Sequence, residues 1–196
     1  MLRSTRATVL GLCFGFAGCT TAPVPTSTLI AQLHDAPAGA MARLWLANGR
    51  IIGTAVPVGP GSMPAAVRTT FEAVLPGGAQ TFAGRESGPR GTGFRIDKNY
   101  AEPEHQRSAL VADDGAVLER AHTVTIAEVP PNALATALRT GPSIEEAWIV
   151  SGPAREEFWQ FAVRDRSGRA FVVKVGLDGT ALGTARRTAA RIDAAN

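Results

Sequence analysis

Hydrophobic and polar positions alternate with period two over two stretches late in the chain. From Phe158 to Asp165, Trp159, Phe161 and Val163 alternate with Gln160, Ala162 and Arg164; from Ala170 to Leu177, Phe171, Val173, Val175 and Leu177 alternate with Val172 and Lys174. Successive side chains of a strand point to opposite faces, so each stretch predicts a strand with one buried and one wetter face. Arg166-Ser167-Gly168 predicts the turn between them. Asn48-Gly49 and Asp178-Gly179 suit tight hairpins, whose central residues need positive φ. Two other segments have helical spacing: Val67, Phe71 and Val74 share a face behind Pro64, as do Leu134 and Leu138 behind Pro131. Proline opens a helix well because its missing N–H would have no partner there. Gly77-Gly78 and Gly141-Pro142 stop these helices.

The pattern also repeats. Ser87-Gly88-Pro89 returns as Ser151-Gly152-Pro153, and in the same register Phe94 meets Phe158, Asp114-Gly115 meets Asp178-Gly179, and Leu118 meets Leu182. Upstream, Pro64-Ala65-Ala66-Val67 resembles Pro131-Asn132-Ala133-Leu134 with a short gap between. A third partial copy, Ala42 to Ile52, matches Ser108 to Leu118, with Asn48-Gly49 against Asp114-Gly115. The expected fold is therefore α+β: a tandem repeat of a helix packed on a small antiparallel β-sheet, preceded by a signal peptide and a flexible linker.

The second copy is similar to PepSY and PepSY-like domains. The resemblance lies in Val124 to Leu134, in Ile144-Glu145-Glu146-Ala147, in Phe158 to Gly168, and in Phe171 to Leu182 with Asp178-Gly179. Leu134 stands where that family has Val in its Pro-x-x-Val opening, and the usual spacer is missing between Asp178 and Gly179. Residues 124–183 carry the resemblance well and 56–119 weakly. It implies a secreted, non-catalytic binding or regulatory module, possessing in some relatives a peptidase-inhibitor-like role.

The amino terminus says where such a module would work. Arg3 and Arg6 precede an apolar stretch from Ala7 to Gly18. That stretch is too short to span ~30 Å of hydrocarbon comfortably, yet it fits a secretory leader. It ends in Phe16-Ala17-Gly18-Cys19, which resembles the lipobox of bacterial lipoproteins, with Phe16 where Leu, Val or Ile is usual. The resemblance implies cleavage before Cys19, a diacylglyceryl thioether on its sulfur and acylation (palmitate) of the new terminus. Thr20 follows; the aspartate that retains such proteins in the inner membrane is absent, which favours the outer membrane. The expected organisation is a signal peptide over 1–18, a Thr/Pro/Ala-rich tether over 19–41, a first repeat with a leading hairpin over 42–120, a second repeat over 121–184 and a basic tail over 185–196.

Composition narrows the chemistry. The formal charge of +3 includes Arg3 and Arg6 of the leader, so the mature part is close to neutral. No basic stretch is interleaved with stacking aromatics, so nucleic acid is not an expected partner. Lys98 and Lys174 are the only lysines, and Cys13 and Cys19 the only cysteines, which leaves the mature chain without a disulfide. His34, His105 and His122 offer no zinc spacing, and no metal or cofactor is expected. There is no Gly-x-Ser-x-Gly elbow. The acidic pairs Asp113/Asp114, Glu145/Glu146 and Glu156/Glu157 read as solvated carboxylates at strand ends. Trp159 reads as core. Trp45 and Trp148 are candidates for a partner surface, because tryptophan is prominent in binding hot spots.

The expectation is a non-catalytic lipoprotein facing the periplasm, held to the outer membrane by Cys19 and binding an envelope protein or peptide through a sheet face or edge. A structural or assembly lipoprotein of the envelope is the second reading. A cell-wall hydrolase is the third, and the least supported.

Overall fold

A computed structural model of the chain describes residues 24–34, 36–101, 105–153 and 156–191. The expected leader, Cys19 and the first residues of the expected linker lie outside them. The alternating segments form ten strands: β1 (Met41–Ala47), β2 (Arg50–Pro57), β3 (Ala79–Gly88), β4 (Gly91–Asn99) and β5 (Gln106–Val111), then β6 (Val117–Val124), β7 (Ser143–Ser151), β8 (Glu157–Arg164), β9 (Ala170–Gly176) and β10 (Ala181–Arg191). Each pairs antiparallel with its neighbour in sequence. β10 then returns to β1, with Met41 opposite Arg191 and Trp45 opposite Arg187, and the sheet closes into a barrel.

This closure corrects the tandem helix-on-sheet expectation, and the PepSY-like resemblance falls with it. The chain forms one ten-stranded antiparallel barrel in place of two stacked repeats. The boundary expected at 120/121 falls inside β6, which pairs with β5 on one side and β7 on the other. The reason is the edge rule. An open four-stranded sheet would leave two rows of backbone N–H and C=O groups unpaired, and closure removes both edges. The segment expected as a basic tail from 185 is strand as far as Arg191, because β1 supplies its partners.

Three helices, α1 (Thr26–His34), α2 (Ala65–Val74) and α3 (Pro131–Leu138), lie against the outside. α2 begins behind Pro64, and α3 carries Pro131 in its first turn. Val67 and Phe71 of α2 bury against Phe94, Ile96, Ala109 and Val111 of β4 and β5. Ala133 and Ala137 of α3 lie on Ala147, Trp159, Phe161, Val163, Val173 and Val175 of β7, β8 and β9. The small alanines let α3 approach closely, and the large side chains come from the sheet. Burying each large apolar side chain contributes about 1.5–3 kcal/mol. α1 falls within the stretch expected as a flexible tether and is instead a helix packed over β2: Leu29 is fully buried, and the Gln32 side chain accepts from the Thr54 hydroxyl at 3.0 Å and donates to the Arg85 carbonyl.

The consequence for function is an inversion. The apolar faces of β4, β5, β8 and β9 point outward under helices, so their polar faces point into the barrel. The β1–β2 hairpin turns on Asn48 (φ 51°) and Gly49 (φ 73°), a pair of left-handed residues that matches the twist of the flanking strands.

Candidate functional site

The lumen holds a cavity of about 460 Å³, inside the range of roughly 300–1,000 Å³ typical of ligand sites. Ala47, Pro89 and Leu182 border it at the end where the β1–β2, β3–β4 and β9–β10 turns gather. Trp45 and Trp148, named from the sequence as partner-surface candidates, both line this cavity and are half-buried. Trp45 sits over Gly53, where a Cβ would approach its indole to 3.2 Å. Trp148 packs against a small lumenal cluster of Ala121, Val150 and Phe158, and its indole N–H donates to Glu146 at 3.1 Å. Glu146, expected as a solvated turn carboxylate, therefore lines the lumen.

One wall carries a network of ion pairs that sequence reading missed. Arg95 of β4 donates to both oxygens of Glu86 on β3, to Glu119 of β6 at 2.8 Å and to the Ser108 hydroxyl at 2.7 Å. Ser108 in turn donates to Asp97 at 2.8 Å, and Arg43 crosses from β1 to meet Asp97 at 2.7 Å. The Arg43 guanidinium lies 3.7 Å from the Phe82 ring centre, which adds a cation–π contact. Arg90, in the β3–β4 turn, reaches over the mouth to Glu119 at 3.7 Å and to Glu156 at 3.5 Å.

The electrostatics follow from burial and pairing. Burial works against the charged form of Arg95, but Glu86 and Glu119 outweigh it and hold the guanidinium well above its ordinary pKa. For Glu119, burial is the largest influence and pushes its pKa up. Arg95, Lys174 and Arg90 together overcome it, and the carboxyl ends below its ordinary value. Lys174 goes the other way: burial lowers it, and Glu119 restores only part of the loss. The opposite wall is different in kind. There Trp148, Gln160, Lys174 and Gly183 face one another across β7, β8, β9 and β10 in adjacent register.

The alternation contained a signal for this lining. Lys174, one of two lysines in the sequence, interrupts an apolar strand, and Arg95 and Asp97 stand two apart in β4. Nothing local showed that those positions meet inside a closed barrel. Trp159 is buried under α3, as expected. His34 lies in α1, while His105 and His122 are exposed. Among the described residues no group of His, Cys, Asp or Glu is arranged to hold a metal ion.

No family model matches the sequence, and no curated protein does. Among solved structures the chain is similar to a Bacteroides eggerthii protein described provisionally as periplasmic, at 11% identity over 64% of this chain and 90% of that one, with a TM-score of 0.49. It is also similar to two DUF2874 family proteins. That of Bacteroides uniformis is 13% identical over 63% of this chain and 88% of its own, with a TM-score of 0.47. That of Bacteroides ovatus is 13% identical over 64% and 88%, with a TM-score of 0.46. Likenesses of this size assign no function to the chain. Its own lumen has to carry that argument.

Proposed function

We propose that this protein is a non-catalytic, lipid-anchored periplasmic binding protein of the outer membrane, and that its ligand enters the barrel lumen. The observation that carries this reading is the meeting of Trp45 and Trp148 in one cavity of about 460 Å³. Half-exposed indoles in a concave site supply apolar contact area at little cost in side-chain entropy, which suits them to capture. Closure also redirects the expected mode of binding. A peptide cannot add itself as a strand to a sheet that has no free edge, so capture through an edge gives way to capture inside. The carboxylates Glu86, Glu119 and Asp97 are held by Arg95 and Arg43. Groups engaged in this way fix charge and shape, and are poorly placed to shuttle protons. The lipid on Cys19 would keep the barrel beside the bilayer through the intervening linker.

The test is occupancy of the lumen by the neutral dye Nile red, followed by energy transfer from the lumenal tryptophans. The expected result is one dye per protein. Gly183 has open space where a Cβ would stand, so Gly183→Phe should fold normally, fill the cavity and abolish binding. Dye binding that survives Gly183→Phe, or no binding to the unaltered protein, would refute the lumenal reading.

A further inference from the structure

The two walls of the lumen differ in how their charges are met. On the β3–β6 side each carboxylate is answered: Glu86 and Glu119 by Arg95, and Asp97 by Arg43 and Ser108. On the β9–β10 side are Lys174 and Arg187, and among the described residues neither has a carboxylate within ion-pairing distance. The Lys174 ammonium lies 5.1 Å from the Phe158 ring centre, a contact that does not neutralise it. Arg187 is the cross-strand partner of Trp45. Glu119 acts on Lys174 only from beyond ion-pairing distance; lysine and arginine side chains half-removed from water with no carboxylate in contact are costly, and the cost is relieved when an anion arrives.

Apolar surface adjoins both cations. Trp148 is two strands from Lys174 in the same row, roughly 10 Å between Cα atoms at the usual strand spacing. Trp45 sits beside Arg187, with Val172 and Ala162 completing the wall. Gly183, directly opposite Lys174, leaves its space open. Resting on the lumenal reading above, the geometry points to an amphipathic organic anion as the ligand, its acidic group held by Lys174 and Arg187 and its apolar body lying against Trp45 and Trp148. A neutral lumen would accept any apolar molecule of suitable size. This one discriminates, because a neutral or cationic head would leave both bases without an ion pair and lose a charge-assisted hydrogen bond, while Glu146, the carboxylate on this side of the lumen, is already engaged by the Trp148 indole N–H.

Three matched probes test this: ω-bromoundecanoate, ω-bromoundecanol and ω-bromoundecyltrimethylammonium, each below its micellar concentration. Bromine quenches tryptophan on contact, so quenching reports a chain lying against the indoles. The carboxylate should bind about ten-fold or more tighter than the alcohol, and the trimethylammonium probe weakest. Lys174→Met and Arg187→Met, each checked for folding by circular dichroism, should each weaken the carboxylate about five-fold or more while leaving the alcohol unchanged. Either variant suffices if the other does not fold. An alcohol or ammonium probe that binds as tightly as the carboxylate overturns the anion inference and leaves the lumenal reading standing. Absence of quenching by all three, or quenching that persists in Gly183→Phe, overturns both.

Discussion

Removing Arg95 should be among the most damaging single changes in this barrel, and its damage should depend on pH in a definite direction. Arg95→Met keeps the length and apolar stem of the side chain and deletes its charge and donors. It strands Glu86 and leaves Glu119 only its longer contact to Arg90; the two carboxylate side chains are only 12% and 6% exposed, against 12% for Arg95 itself. Breaking a buried ion pair by removing one partner costs about 3–5 kcal/mol, because a desolvated charge is left behind. A domain of this size loses roughly 2–4 °C per kcal/mol, so its melting temperature should fall by roughly 6–20 °C.

The pH dependence comes from Glu119. In the unaltered protein burial raises its pKa, but Arg95, Lys174 and Arg90 lower it further, so the folded value lies below the unfolded one. The stability this contributes is present above the unfolded pKa and is lost as pH falls through the folded one. In Arg95→Met the largest lowering influence is gone and burial dominates. The folded pKa then rises above the unfolded value, and the variant gains stability as pH falls through that raised value. The penalty measured by urea denaturation should therefore be large at about pH 7.5 and smaller at about pH 5. Adding Glu86→Gln and Glu119→Gln to Arg95→Met should recover much of the loss at about pH 7.5, because the two carboxylates that Arg95 held are then neutral as well. A penalty below about 1 kcal/mol, or one equal at the two pH values, would show that the lumen hydrates these groups well enough to make the network irrelevant to stability.

Two further outcomes test other parts of the account. Cys19→Ser should abolish incorporation of radiolabelled palmitate and move the protein from the membrane to the soluble fraction. Retention of both in the variant would refute the anchor. Phe161→Ala, at a fully buried position under α3, should cost about 3–5 kcal/mol in chemical denaturation while leaving Nile red affinity unchanged below the transition. A selective loss of dye binding would place Phe161 on the wrong side of the sheet.

The local structure was legible because it is written in short-range physics. Pro64 and Pro131 mark helix starts, Gly168 and Asn48-Gly49 mark turns, and the face shared by Trp159, Phe161 and Val163 is the face that α3 covers. The helix-plus-strands rhythm was also visible, and it suggested separate repeats because one helix per unit is enough to cover one sheet face. What was hidden is the pairing of β1 with β10, Met41 against Arg191. Closure is a contact between the first and last strands, and neither carries a mark of its partner.

That single long-range pairing changes the meaning of the polar half of every alternation. In an open sheet, Arg95, Glu119 and Lys174 would point to solvent, and their charges would contribute little. In a closed one the same positions face inward, where desolvation makes each charge demand an answer. Arg95 receives two carboxylates, whereas Lys174 and Arg187 have none within ion-pairing distance among the described residues. If the barrel served only to be stable, replacing these two bases with apolar residues should improve it, since half-buried cations without an ion pair oppose folding. Their placement beside two indoles and an open glycine position gives them a different use. The sites at which the lumen is least settled by its own residues are the sites at which a ligand has most to add.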